Sequence, residues 1–100
     1  MLNMIINEDR EHVIHVSSIN RSLDTANLDV HFVINGTFTD GYDPNDIDEL
    51  AVYEDTQITK VTVYDENNVL KMSVSGQGHL VSLYETIDSN GASGYFSINM

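Results

Sequence analysis

Seven carboxylates stand between Asp40 and Asp55 with no lysine or arginine among them: Asp40, Asp43, Asp46, Asp48, Glu49, Glu54 and Asp55. Asp65 and Glu66 follow. Acids at that density suit three roles. One is coordination of a hard cation, which takes several oxygen ligands. The helix–loop–helix calcium pattern fails, because counting from Asp43 puts Asp48 at the sixth position, where glycine is required; a looser cation site in a loop stays open. A second role is imitation of a nucleic-acid backbone, the carboxylates filling a groove of lysines and arginines that would otherwise track phosphates. The third needs no partner: a solvated acidic face that keeps a small domain dispersed.

The histidines are the other candidate ligands. His12 and His15 would form a chelate on one helix face, but on a regular strand a spacing of three sends them to opposite sides. His31 could meet either of them across strands, and Asp29 shares its face, so two histidines and a carboxylate would suffice for zinc. Partly exposed, unligated histidines are the plain alternative, and His79, beside Gly78, has no evident partner. No metal and no cofactor is expected.

Covalent catalysis lacks its residues. There is no Gly-x-Ser-x-Gly elbow, and Ser93 sits in Gly91-Ala-Ser-Gly94, which reads as a flexible loop. Gly76-Gln-Gly78 lacks the third glycine of a phosphate-binding turn. Acids are so abundant that no pair of them marks a hydrolase. One hundred residues leave little room for an enclosed pocket beside a complete core. The chain reads as a non-enzyme.

Tyrosine offers a different chemistry, burial of area with a polar handle kept free. Tyr42 and Tyr53 lie inside the acidic run, whereas Tyr64, Tyr84 and Tyr95 occupy the less apolar faces of their strands. If those strands are neighbours, the three tyrosines form a docking patch. Partner-binding residues are therefore expected among Asp40, Asp43, Asp46, Asp48, Glu49, Glu54, Asp55, Tyr64 and Tyr84.

The elements that must position these groups are mostly strands. Gln57–Tyr64 and Val69–Ser75 flank Asp65-Glu-Asn-Asn68 and read as a hairpin. Pairing Tyr64 with Val69 places Val63 opposite Leu70, Val61 opposite Met72 and Thr59 opposite Val74, all on one face. A slip of one residue would bury Lys60 and Lys71. Leu28, Val30, Phe32 and Ile34 alternate with Asp29 and His31 in another strand. Asn35-Gly36 after it marks a turn or bulge, with Thr37–Thr39 returning. Met1–Ile6 and His12–Ile19 supply two more strands, and Asn20–Ala26 a loop, with Leu23 folding back on the core. Asp43 as cap and Pro44 at the first position predict a short helix near 44–54, with Ile47, Leu50 and Ala51 on one face. A strand over Leu50–Glu54 is the rival. Gly76-Gln-Gly78 reads as a tight connection, His79–Ile87 as a strand with Val81, Leu83 and Ile87 on one face, Asp88–Gly94 as a loop, and Tyr95–Met100 as a last strand with Phe96, Ile98 and Met100 inward.

Together these predict a mainly β chain of one domain spanning 1–100. The fold is an antiparallel sandwich or small barrel of six to seven short strands. Sixteen acids against four bases give a formal charge of −12. That opposes direct contact with nucleic acid or an anionic membrane and favours a protein partner with a basic surface, or simple self-avoidance. Adaptation to high salt would leave the same acidic signature. With no cysteine, no signal-like N-terminus and no membrane-length apolar run, a cytoplasmic or virion-associated setting is expected. The expected function is protein–protein interaction: a small structural or assembly subunit of the phage or mobile-element kind, able to self-associate through sheet edges. The alternative is an acidic inhibitor that mimics nucleic acid and blocks a basic nucleic-acid-binding enzyme, as anti-defence proteins do.

Overall fold

Alternating apolar residues along most of the chain produce strands. The computed structural model describes residues 1–25, 30–39 and 41–100. Within them lie β1 (Leu2–Ile6), β2 (Ile14–Val16), β3 (Ser18–Asp24), β4 (His31–Phe38), β5 (Ile58–Tyr64), β6 (Leu70–Asp88) and β7 (Gly91–Asn99). A helix, α1 (Pro44–Ala51), runs into a 3₁₀ turn at Val52–Glu54. Every pairing is antiparallel, and the seven-stranded order is β2-β1-β5-β6-β7-β4-β3.

That order closes on itself. β2 and β3 are the two edges, yet only Ser17 separates them. Two peptide units span about 7 Å at most, so the edges meet and the sheet must curl. Ser17 seals the seam: its N–H donates to Thr37 O at 2.8 Å, and its Oγ accepts from Thr39 N at 2.9 Å. On the opposite side β6 runs through both halves. Its first part, to Gly78, pairs with β5, and its second, from His79, pairs with β7. The result is a flattened barrel whose halves share one bent strand.

The inward set follows period two along the strands: Met4 and Ile6, Ile14 and Val16, Val61 and Val63, Phe96 and Ile98. The helix closes the core with Ile47, Leu50 and then Tyr53, three residues apart. It begins as its start signals predict. Asp43 is extended, its carboxylate accepts from Asn45 N at 3.0 Å, and Pro44 takes the first turn. Among the described residues no helix is long and apolar enough to cross a membrane.

Several local expectations are overturned, each by a partner distant in sequence. The β5–β6 hairpin forms, but Val63 pairs with Met72 and Val61 with Val74, an offset of two that keeps the faces. The turn causes half of it: Asp65 Oδ1 accepts from Asn67 N and Val69 N, both at 2.9 Å, drawing Val69 into the loop and leaving Tyr64 opposite Leu70, and an extra residue, Lys71, between the Tyr64–Leu70 and Val63–Met72 pairs adds the second. Asn35-Gly36 is not a turn. β4 runs straight through it, and Gly36 faces Phe96, whose ring occupies the space a side chain would fill. Gly76-Gln-Gly78 is not a tight connection either, since β6 is continuous there; a Cβ on Gly78 would lie 2.3 Å from Asn99 O. Asn20–Asp24 is strand rather than loop, paired with β4, and Leu23 points to solvent instead of the core. Gly91–Gly94 belongs to β7, and Ser89-Asn90 alone turns the chain. Val81 is an extra residue between the Leu80–Ile98 and Ser82–Ser97 pairs. This bulge sends both Leu80 and Leu83 to the core and Val81 outward. Val30, expected inward, is exposed. The expectations for Leu28, Asp29 and Asp40 lie outside the described residues.

Candidate functional site

Two regions bring functional side chains together. The first is the seam between α1 and the β1–β2 connection. Asn7 and Glu8 are both left-handed, which turns the chain so that Asp9 N reaches Ile6 O at 3.0 Å. The next turn sets His12 Nδ1 2.9 Å from Asp9 Oδ2. The hydrogen bond that Asp9 accepts, then its charge, raises the His12 imidazole above its ordinary pKa, with smaller contributions from Glu49 and Glu11. Asp9 and His12 face Glu49, Val52 and Tyr53 across a cleft of about 190 Å³. Burial, aided by Asp9 and Glu49, raises the Tyr53 hydroxyl, which donates to Ile6 O at 3.4 Å. Further along the seam His15 Nδ1 lies 3.3 Å from Asp46 Oδ1. Asp46 is only 4% exposed, and its Oδ2 has no hydrogen-bond partner among the described residues.

A histidine steered by a carboxylate is half of an acid–base apparatus. Besides Asp9 and His12 the lining of this cleft offers a second carboxylate, Glu49, a phenol engaged with backbone and an apolar side chain, but no serine, threonine or cysteine. What it can do is exchange protons. The histidines do not converge: His12 takes Asp9, His15 takes Asp46, and His31 Nε2 lies 3.5 Å from Asp24 Oδ2. Among the described residues no three histidine or carboxylate groups are placed to hold a metal ion.

The acidic run is dispersed by the helix. Asp43 is spent on the cap, Asp46 turns inward, Asp48 faces solvent, and Glu49 borders the His12 cleft. Glu54 and Asp55 line a separate groove with Gln57, Gln77 and His79. Periodicity could have flagged Asp46, one residue before Ile47, but nothing local announces its partner His15, 31 residues earlier.

The second region is the far end of the β6–β7 hairpin. Tyr84 and Tyr95 are direct cross-strand partners, their rings stacked with centroids 6.2 Å apart. Tyr95 donates to Asn35 Oδ1 at 2.9 Å. Tyr42 donates to Glu85, tying the root of the hairpin to the loop before α1; that bond, with burial and the Glu85 charge, pushes its hydroxyl pKa up to about 12. Beyond this root all residues from Tyr84 to Gly91 are exposed. Thr86, Ile87 and Asp88 pair with Ser93, Ala92 and Gly91, and β5 and β4 do not extend alongside them. Tyr84 is 63% exposed, Ile87 73% and Val81 52%. Tyr64 is elsewhere, at the opposite end of β6, accepting from Arg10 Nη2 at 3.3 Å with the guanidinium 5.7 Å from its ring centroid. The three tyrosines therefore make no single patch: Tyr84 stacks with Tyr95, whereas Ile87, three residues further along the regular β6 ladder, lies on the other face of the hairpin, and Val81 lies with Ala51 and Glu54.

No protein-family model matches the chain, and no curated protein matches it. A solved structure described as a type VI secretion system effector from Yersinia pestis aligns over 98% of this chain and 81% of its own, with a TM-score of 0.58 and 14% sequence identity. The two proteins are alike in fold.

Proposed function

We propose that the chain is a non-catalytic protein-interaction module, a self-associating subunit of a larger assembly that docks through the free end of the β6–β7 hairpin. One observation carries this reading. A paired hairpin stands clear of the core, no strand of the described residues pairs with its outer edges beyond Gly94, and Tyr84 at its root and Ile87 near its end are bare, one on each face. Unpaired edges offer main-chain hydrogen bonds to another chain, and exposed aromatic and aliphatic side chains supply buried area when they are met. The likeness of fold to a protein described as a secretion effector is compatible with it. The rival, a mimic of nucleic acid, needs carboxylates in a row, and here Asp46 is buried while Glu49 and Glu54 border different clefts.

Sedimentation velocity at low and at molar salt tests the reading. Association through apolar contact persists in molar salt, whereas exposed charge pairs are screened within a few ångströms. Tyr84→Ser combined with Ile87→Ser should abolish association and leave the circular dichroism unchanged. Association that survives this pair of substitutions, or a protein that is monomeric at all concentrations, overturns it.

A further inference from the structure

We propose that the hairpin end of one copy is received by a second copy of this chain, in the cleft at the opposite end of its β6. This rests on the assembly reading above and names its partner. Near Met72 the two halves of the barrel gape around a cleft of about 290 Å³ lined by Leu2, Ile19, Arg21, Val63, Lys71 and Met72. Val63 is buried, and Leu2, Ile19 and Met72 pack against the core, so the floor is apolar. The rim is cationic. Arg21 and Lys71 are two of the four bases in a chain with sixteen acids. Arg21 stacks over Phe32 with its guanidinium carbon 5.0 Å from the ring centroid, and Lys71 Nζ is 3.7 Å from Asp65 Oδ2. The other two bases are turned to different partners, Arg10 to Tyr64 and Lys60 to Glu8.

The hairpin end has the complementary composition: Ile87, largely bare, next to Asp88 and two residues beyond Glu85, which Tyr42 holds at the root. An aliphatic side chain beside a carboxylate matches an apolar floor ringed by a guanidinium and an ammonium group. Charge complementarity of this kind fixes register and excludes like-charged alternatives. The contact cannot be internal. Knob and cleft sit at opposite ends of one strand, and β6 is held in its ladder by β5 at one end and β7 at the other. Between molecules the contact is head to tail. It uses different surfaces on the two partners, so each copy keeps one free knob or one free cleft and growth continues past a dimer.

The test uses two variants of the full chain, with sedimentation velocity as the readout. Ile87→Ser disables the knob and leaves the cleft; Arg21→Glu with Lys71→Glu disables the cleft and leaves the knob. All three residues are exposed, so both variants should retain the wild-type circular dichroism. The wild type is expected to form species larger than a dimer, each variant alone to be monomeric, and an equimolar mixture to give a 1:1 dimer and nothing larger. Variants that stay monomeric when mixed, or a cleft variant that assembles like the wild type, overturn the head-to-tail contact while leaving self-association standing. A monomeric wild type overturns the assembly reading together with it.

Discussion

Gly36→Ala should destabilise the protein by about 1–3 kcal/mol, and the cost should vanish when Phe96 is also removed. Gly36 lies inside β4, paired with Phe96 of β7 and Ile19 of β3. A Cβ there would come within 2.2 Å of Phe96 Cε1 and Cζ. Carbons rest at roughly 3.5–4.0 Å, so the ring would have to retreat by more than ~1 Å. It has nowhere to go: Phe96 and Ile98 are fully buried, and the Phe38 ring stands 5.7 Å away, centroid to centroid. Against the clash runs one favourable contribution, about 0.4–1 kcal/mol from the lower entropy of the unfolded alanine chain. It is too small to change the sign. Phe96→Ala alone should cost about 3–5 kcal/mol. In the double variant the clash is gone and the new methyl group fills part of the vacated space. The pair should therefore be no less stable than Phe96→Ala, a coupling of about 1–3 kcal/mol. Urea unfolding followed by circular dichroism reads this directly, because slopes of about 1–3 kcal/mol per molar turn the Gly36→Ala cost into a midpoint shift of about 1 M. Costs that simply add, or an unmoved midpoint for Gly36→Ala, would refute the steric account.

Two further predictions concern the turns. Hydrogen bonds from Val69 N and then Asn67 N, with the nearby Lys71 charge, hold the Asp65 carboxyl below its ordinary 3.8, so its contribution to stability is present above that pH and is lost as pH falls through the lower, folded-state value. His12, raised above 6.5 by Asp9, contributes in the opposite direction: fully below 6.5, and lost as pH rises through its folded-state value. Melting temperature measured from pH 2 to 9 should lose acid-side slope in Asp65→Asn and neutral-side slope in His12→Gln; unchanged slopes would show these pairs to be inert. Asn7 is left-handed, and its Oδ1 accepts from Thr59 N at 2.7 Å and Lys60 N at 3.3 Å while its Nδ2 donates to Gln57 O at 2.9 Å. Asn7→Ala should cost about 2–4 kcal/mol from lost hydrogen bonds and left-handed strain. Asn7→Gly should cost about 1 kcal/mol less, since glycine removes the strain alone; equal losses in the two variants would assign the whole effect to the hydrogen bonds.

The sequence by itself determined what depends on near neighbours. Asp43 and Pro44 start the helix because the cap and its N–H donor are two residues apart. Phe32 with Ile34 and Phe96 with Ile98 face inward because side chains alternate along a strand. Alternation also placed Val61, Val63, Met72 and Val74 on one face, yet it is blind to a slip of two. That was decided at the turn, where Asn68 is left-handed and Asp65 gathers Val69 into the loop, and at the bulge that leaves Lys71 unpaired between Leu70 and Met72. Tertiary structure alone decided the rest. A glycine needed for a turn and a glycine needed for contact look identical in one dimension; Gly36 and Gly78 were assigned by the atoms of Phe96 and Asn99 that approach them. Asp46 sits in a run of solvated acids by composition, and only the packing of α1 against β2 turns it inward toward His15. The pairing of Tyr84 with Tyr95 is set by the register of β6 on β7; the exposure of Ile87 arises because both strands outrun those beside them, and how far a strand outruns its neighbours is a property of the assembled sheet.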